Sequence, residues 1–323
     1  MHQRLSATAI AAILTCAGAT AWAGPTVTTT QTGTGNSAYA EQNTVNDATT
    51  ATITQVGNNN VAGDPVGRLP GILQQNIFSL SGHSAKIEQY GNENHAAISQ
   101  TSGDVEYLGA IKQEGDRNIA SLIEDQYFNS ETSIGQKGND NLAELMHHDT
   151  GGASGLISQE GDRNVVHVTN DSLNDSSTLT WQTGYDNRID AVHTTSGHSA
   201  VRIAQTGSLN TAYTSQTGGS FISGYTIQNG VGNFASLIQA DAREGSGAIT
   251  QSGDGNVAML GQTLGYNQAD ITQTGNLNTA TILQSGSVGF APLNTAYITQ
   301  SGNGFTASIA QSGSDNHAGI YQH

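Results

Sequence analysis

Small and polar residues alternate with Ala, Ile, Leu and Gln along most of this chain. Ala51-Thr-Ile53-Thr-Gln55 and Asn94-His-Ala96-Ala-Ile98-Ser-Gln100 are two of many such stretches. A period of two belongs to a strand with one face turned inward. Between the stretches lie short segments with Gly and Asn at fixed places. These read as tight turns in which Gly takes positive φ. The pattern predicts strand, turn, strand, turn along the chain.

The alternation is itself repeated. Gln recurs at Gln31, Gln55, Gln89, Gln113, Gln136, Gln159, Gln182, Gln205, Gln228, Gln251 and Gln273, mostly in steps of 23 residues. Two residues after each comes Gly: Gly33, Gly57, Gly91, Gly115, Gly138, Gly161, Gly184, Gly207, Gly230, Gly253 and Gly275. Five residues after each comes Asn: Asn36, Asn60, Asn94, Asn118, Asn141, Asn164, Asn187, Asn210, Asn233, Asn256 and Asn278. Ala follows at the seventh place, except at Val166 and Ile189, and a second Gln usually at the eleventh. The unit is Q-x-G-x-x-N-x-A-x-x-x-Q. Such self-similarity marks a solenoid, whose single turns cannot fold alone but can once stacked.

The expected fold is all-β. It is a parallel β-solenoid of about twelve two-strand rungs, ~23 residues each, with two facing sheets and a thin core. Inward Gln and Asn would bond along their columns as ladders, because buried amides need partners. Turn charges support in-register stacking. Four residues after successive Gln stand Glu93, Arg117, Asp140, Arg163 and Asp186, alternating in sign. Insertions at 63–71, with Pro65 and Pro70, and at about 287–293, with Pro292, read as loops outside the ladder, since proline cannot donate to it.

Residues 1–23 read as a signal peptide: Arg4, an apolar run, and Ala21-Trp22-Ala23 before Gly24. The repeat solenoid then occupies 24–323, and no later run is apolar enough to span a membrane. The only cysteine, Cys16, lies in the leader, so no disulfide framework is expected. A net charge of −16 argues against a nucleic-acid partner. Only 35% of residues are hydrophobic and 40 are Gly, too lean for a two-core enzyme. The expected class is therefore non-enzymatic, without cofactor, metal site or catalytic residues. His147 and His193 share a column but would lie two rungs, ~9.6 Å, apart, too far for one ion. Glu114 and Asp116, with Glu160 and Asp162, invite a glycosidase reading, but Lys137, Arg117 and Arg163 are their expected partners.

The second Gln column is interrupted. Gln42, the loop-displaced Gln74 and Gln100 lead into Glu124, His147, Asn170 and His193, after which Gln216, Gln239, Gln262 and Gln284 resume. The four exceptions are candidate gatekeepers that slow spontaneous folding until export is complete, with drift at a tolerant position as the alternative. Inward histidines would resist protonation.

These residues resemble the curlin repeat, S-x5-Q-x-G-x-x-N-x-A-x3-Q, the unit of curli in Gram-negative bacteria. Ser130-Glu-Thr-Ser-Ile-Gly-Gln136-Lys-Gly138-Asn-Asp-Asn141-Leu-Ala143 follows it, and Ser199 to Gln216 follows it throughout. The resemblance implies a secreted subunit that self-assembles into functional amyloid fibres of the biofilm matrix. It also implies surface adhesion, a fimbrial location, a minor nucleator as partner and a dedicated outer-membrane export pore. This chain has more repeats than the family's major subunit and lacks the Gly-rich stretch that follows the family's leader. His83 and Asn267 replace the leading Ser. The chain ends on Tyr321-Gln322-His323 without a basic tail, which favours the major role over the nucleator. The competing reading is a monomeric β-solenoid adhesin or ligand-binding module.

Overall fold

The structure, a computed structural model, describes residues 25–323 except the segments 46–48, 64–70, 78–82, 104–106, 127–129, 150–151, 173–175, 195–196 and 287–292. The leader and most of both insertions lie outside the described residues. Among those described there is no helix, and the strands are parallel, in two sheets, built from stacked coils of about 23 residues. The chain divides into two compact units, Met1–His148 and Asp149–His323.

In the first unit, Thr26–Thr32, Thr50–Val56, Ser84–Tyr90, Tyr107–Glu114 and Ser130–Lys137 form the first strands of successive rungs. The second strands begin at Ser37, Val61, His95, Ile119 and Leu142. In the second unit the first strands run from Ala153–Asp162 to His317–Gln322, and the second strands from Val165–Ser172 to Thr306–Ser312. Register never slips within these series: Gln55 lies beside Gln89 and Gln205 beside Gln228. A slip of one residue would turn every buried side chain to solvent.

The core is as thin as the pattern implies. In a typical rung one Ala and one Ile, Leu or Val from each strand are buried, as with Ala85 and Ile87, or Ala258 and Leu260. Burying an Ile contributes about 1.5–3 kcal/mol, so a rung is stable only between neighbours.

The turn after each first Gln explains its glycine. The eleven turn glycines have φ between 107° and 124°. A Cβ at Gly161 would lie 1.9 Å from the carbonyl oxygen of Gly184 in the next rung. The two constraints together admit only glycine. Two residues later the chain is again left-handed. There Asn59, Glu93, Arg117, Asp140, Arg163, Asp186, Leu209 and Leu277 take φ of 55–58° without being glycine. The left-handed turn also projects the alternating charges outward. Arg117 makes a bidentate pair with Asp140 at 2.7 and 2.8 Å, and Arg163 with Asp186 at 2.8 Å.

Three expectations need correction. Glu114 pairs first with Lys112 of its own strand at 2.6 Å, because residues two apart on a strand share its outer face, and Lys137 of the next rung adds only a weaker Coulombic attraction. Asp116 accepts from the backbone N–H of Asn92 rather than from Arg117. The first insertion is narrower than 63–71. Gly63 donates to the Ala96 carbonyl and Gly71 to that of Tyr39, so both ends belong to the rung. Ala62 stacks on Ala96 and Ile72 on Ile98, which returns the chain to register and puts Gln74 beside Gln100.

Candidate functional site

The side chains with most chemistry among the described residues are amides, and they form three columns in each unit, two of them continuous and the third interrupted. The first column is made by the first Gln of each rung. Gln31 donates through Nε2 to Oε1 of Gln55 at 2.7 Å, Gln55 to Gln89 at 2.8 Å, Gln89 to Gln113 at 2.9 Å and Gln113 to Gln136 at 2.8 Å. In the second unit the same bond runs from Gln159 through Gln182, Gln205, Gln228, Gln251 and Gln273 to Gln300 and Gln322 at 2.7–2.9 Å. The second N–H of each amide crosses the interior. Gln113 donates to the backbone carbonyl of His95, and Gln205 to that of Arg188, both at 3.0 Å. One residue thus ties rung to rung and sheet to sheet, at the margin of the Ile and Ala layer.

The Asn column works in both directions along the stack. Asn118 donates through its backbone and its Nδ2 to Oδ1 of Asn94, and through Nδ2 forward to the Gly138 carbonyl at 2.7 Å. Asn210 does the same between Asn187 and Gly230. Asn36, Asn60 and Asn141 in the first unit, and Asn164, Asn233, Asn256 and Asn278 in the second, continue these columns. The turn glycines serve the same network, since their carbonyls are the Asn acceptors. Gln31 is exposed and Asn36 and the terminal Gln322 are half-buried; the members between them are buried.

The second Gln column is the third. Gln42, Gln74 and Gln100 are joined at 2.8 Å. Gln216, Gln239, Gln262, Gln284 and Gln311 are joined at 2.7–3.0 Å. The four exceptions, Glu124, His147, Asn170 and His193, all point inward and are at most 1% exposed. Glu124 accepts from Nε2 of Gln100 at 2.7 Å and from the Thr132 hydroxyl. Ser176 donates to Asn170 at 3.3 Å, and His193 Nε2 meets the Ser199 hydroxyl. Burial pushes the Glu124 carboxyl up to about 7, against the opposing pull of Thr132 and Gln100. Burial takes the His193 imidazole down to about 4. His83, buried before a first strand, is likewise lowered to about 4.

Two further columns escaped the sequence reading. Asn267, treated there as a lost Ser, accepts from Asn294 at 3.0 Å, and Asn294 from Asn316 at 3.1 Å. The signal was present: Asn267-x-Ala269-x-Ile271-x-Gln273 repeats on a first strand the motif that marks second strands. An outer column runs through the turns. The backbone N–H of Asn58 donates to Asn92, that of Asn92 to Asp116 and that of Asp116 to Asn139, at 2.8–3.1 Å. Asp254, Asn276 and Asn303 do the same in the second unit. Its residue type varies between Asn and Asp, which hides the period.

Residues 267–288 and 294–323 match the family model described as the curlin associated repeat. No curated protein matches the chain. The match gives these last rungs a curlin-repeat assignment. Their Gln and Asn columns continue in register back to Gln159 and Asn164 within the same unit. Repeat and fold are consistent with a curli-like structural subunit, and among the described residues no helix is long and apolar enough to cross a membrane.

Proposed function

We propose that this chain is the structural subunit of an extracellular curli-like amyloid fibre, formed by end-to-end stacking of β-solenoids. The observation that supports the reading most is the first Gln column and the Asn column, which run unbroken through each unit. Each rung presents to the next the donors and acceptors that it receives from the one before. Gln205, for example, accepts at Oε1 from Gln182 and donates at Nε2 to Gln228, so its two sides are complementary. A rung from a second copy meets the same requirements as a rung from the same chain, and stacked in-register amides are the bonding of amyloid.

On this reading the chain leaves a Gram-negative cell behind its leader, through outer-membrane export machinery. It adds to a growing fimbrium that a minor nucleator starts on the surface, and it serves the biofilm matrix and adhesion. It needs no cofactor and performs no catalysis. The net charge of −16 keeps unassembled copies apart until the ladders form.

The test uses the chain without its leader, sized over hours and incubated with an amyloid dye. Growth of dye-positive fibres with diffraction spacings of ~4.7 and ~10 Å is expected. A monodisperse, dye-negative solenoid that persists would refute the reading in favour of a monomeric adhesin or binding module.

A further inference from the structure

The charges of this molecule avoid one of its faces. Five consecutive second strands of the second unit, Thr211–Thr217, Phe234–Ala242, Val257–Gly265, Thr279–Ser285 and Thr306–Ser312, stack in register. They contain a single charged residue, Asp241, at a left-handed position (φ 50°) where its strand ends. The preceding second strands of the same unit differ. Val165–Ser172 carries Asp171, and Arg188–Thr194 carries Arg188 and Asp190. The first sheet of this unit carries Arg202 and Asp270. In a chain with 36 charged residues, a five-strand face whose one charge, Asp241, stands at its edge is a distinct surface.

Inside that edge the face is apolar as well as uncharged. Tyr213, Phe234, Ile238, Met259 and Leu283 project from it at 36, 38, 42, 42 and 54% exposure. Gly261 stands between Ile238 and Leu283 in the stack. The missing side chain opens a notch of about 280 Å³ lined by Gly261, Thr263, Leu283 and Ala310. A flat face with protruding aliphatic side chains and a hole beside them suits the interdigitated dry packing of paired sheets.

We propose that this face is a lateral interface between two copies of this chain, each within an assembled fibre. The inference rests on the stacking reading above. Charge selects the occupant. Two copies that each carry −16 repel across most approaches. They can meet closely only where charge is sparsest, and an isologous pair brings this one face against itself. A polyanion finds no cationic partner on it, and a polycation finds only Asp241 at its edge.

Size sets when pairing occurs. Five rungs at ~4.8 Å and seven residues at ~3.3 Å give a face of roughly 550 Å² per copy, or about 1,100 Å² for a pair. A stable dimer buries about 1,200–2,000 Å² in total, so one face on one free chain is too small. A fibre presents the face once per subunit at a fixed spacing, and the contacts then add as in multivalent binding. Free chains therefore stay unpaired, and fibres pair laterally.

The experiment compares parent fibres with fibres of Ile238→Glu/Leu283→Glu. Growth is read by dye fluorescence, and width by electron microscopy. Both substituted side chains point outward, so the charged fibres are expected to grow while the paired fraction falls at least five-fold. A 1:1 mixture with separately grown Ile238→Lys/Leu283→Lys fibres should restore pairing between unlike fibres. Should the double glutamate chain fail to grow, Leu283→Glu alone provides the same reading. Parent fibres of single width would overturn the lateral interface alone. Pairs that persist undiminished in the glutamate fibres would place the contact on another face and overturn it equally. A parent chain that gives no fibres would instead overturn the stacking reading, and this inference with it.

Discussion

The turn Gln228-Asn229-Gly230-Val231-Gly232-Asn233 offers two glycines, two residues apart, whose replacement by alanine should differ sharply in cost. Gly230 has φ 124°, and a Cβ there would lie 2.1 Å from the carbonyl oxygen of Gly253 in the next rung. An ordinary contact begins at 3.4 Å, so the neighbouring turn must retreat by more than 1 Å. The displaced carbonyl is the acceptor of Asn233 Nδ2 at 2.7 Å, and the Gly253 N–H donates to Asn229 at 2.9 Å. Each buried bond lost costs about 1–3 kcal/mol, and the glycine-only backbone adds about 1–3 kcal/mol. Gly230→Ala should therefore cost at least about 3 kcal/mol. Gly232 has φ 66° and open space where its Cβ would stand. Gly232→Ala meets only the left-handed penalty of about 1–2 kcal/mol, offset by about 0.4–1 kcal/mol of reduced unfolded-state freedom. Its net cost should be about 1 kcal/mol or less. Guanidinium unfolding of the freshly prepared chain, followed by circular dichroism, gives the two costs. Elongation from parent seeds gives a second measure, in which Gly230→Ala should stall and Gly232→Ala should proceed. Equal costs, or a Gly230→Ala cost near 1 kcal/mol, would refute the close approach of successive turns.

Further outcomes follow from the columns. Gln205→Leu with Asn210→Ala strips partners from Gln182, Gln228, Asn187 and Asn233, at about 1–3 kcal/mol for each stranded amide, and should slow assembly and lower fibre melting. Unchanged kinetics and melting would deny the inward ladders a stabilising role. Glu124 has its folded pKa raised to about 7, so its stabilisation is complete below the unfolded value near 4.5 and is lost as pH rises through 7. That loss is on the order of 3 kcal/mol; Glu124→Gln should abolish it, and an unaltered melting profile between pH 5 and 8 would contradict the buried carboxyl. His193, lowered to about 4, runs the other way: its stabilisation is present above 6.5 and lost as pH falls towards 4. His193→Gln should make melting less sensitive to acid over that window, and an equally acid-sensitive variant would count against an inward imidazole. Leu277, exposed at φ 57°, should gain about 0.5–1 kcal/mol on replacement by Asn, which tolerates the left-handed region; a lower denaturation midpoint would contradict the turn geometry.

The interrupted stretch of the second Gln column changes meaning once its surroundings are seen. As a sequence, Glu124, His147, Asn170 and His193 are a break. In the structure all four remain inward, and Glu124, Asn170 and His193 turn to hydroxyls of Thr132, Ser176 and Ser199 on the opposite sheet. A polar group that cannot continue a ladder is tolerated there when the facing position supplies a partner. The stability of this stretch is then pH-dependent with opposite signs at Glu124 and His193, rather than uniformly weakened by acid.

The sequence by itself determined the strand period, the rung length, the inward columns and the turn glycines. Each of these is a local choice repeated at a fixed interval, so repetition reveals it without any knowledge of what lies opposite. It also contained the alternating turn charges, because register makes neighbours of residues 23 apart. Only the tertiary structure decided which partners are taken where two compete. Glu114 chose Lys112 along its strand, and Gln100 bonded Glu124 rather than ending its column. It alone showed that residues as unlike as Arg117 and Leu209 share one left-handed position, since backbone conformation there is imposed by the closing turn and not by side-chain preference. The uncharged face, too, emerges only when Tyr213, Ile238, Met259 and Leu283, far apart in the chain, are stacked on one surface. The physical reason is common to these cases: periodicity fixes which way a side chain points, while packing fixes what it meets.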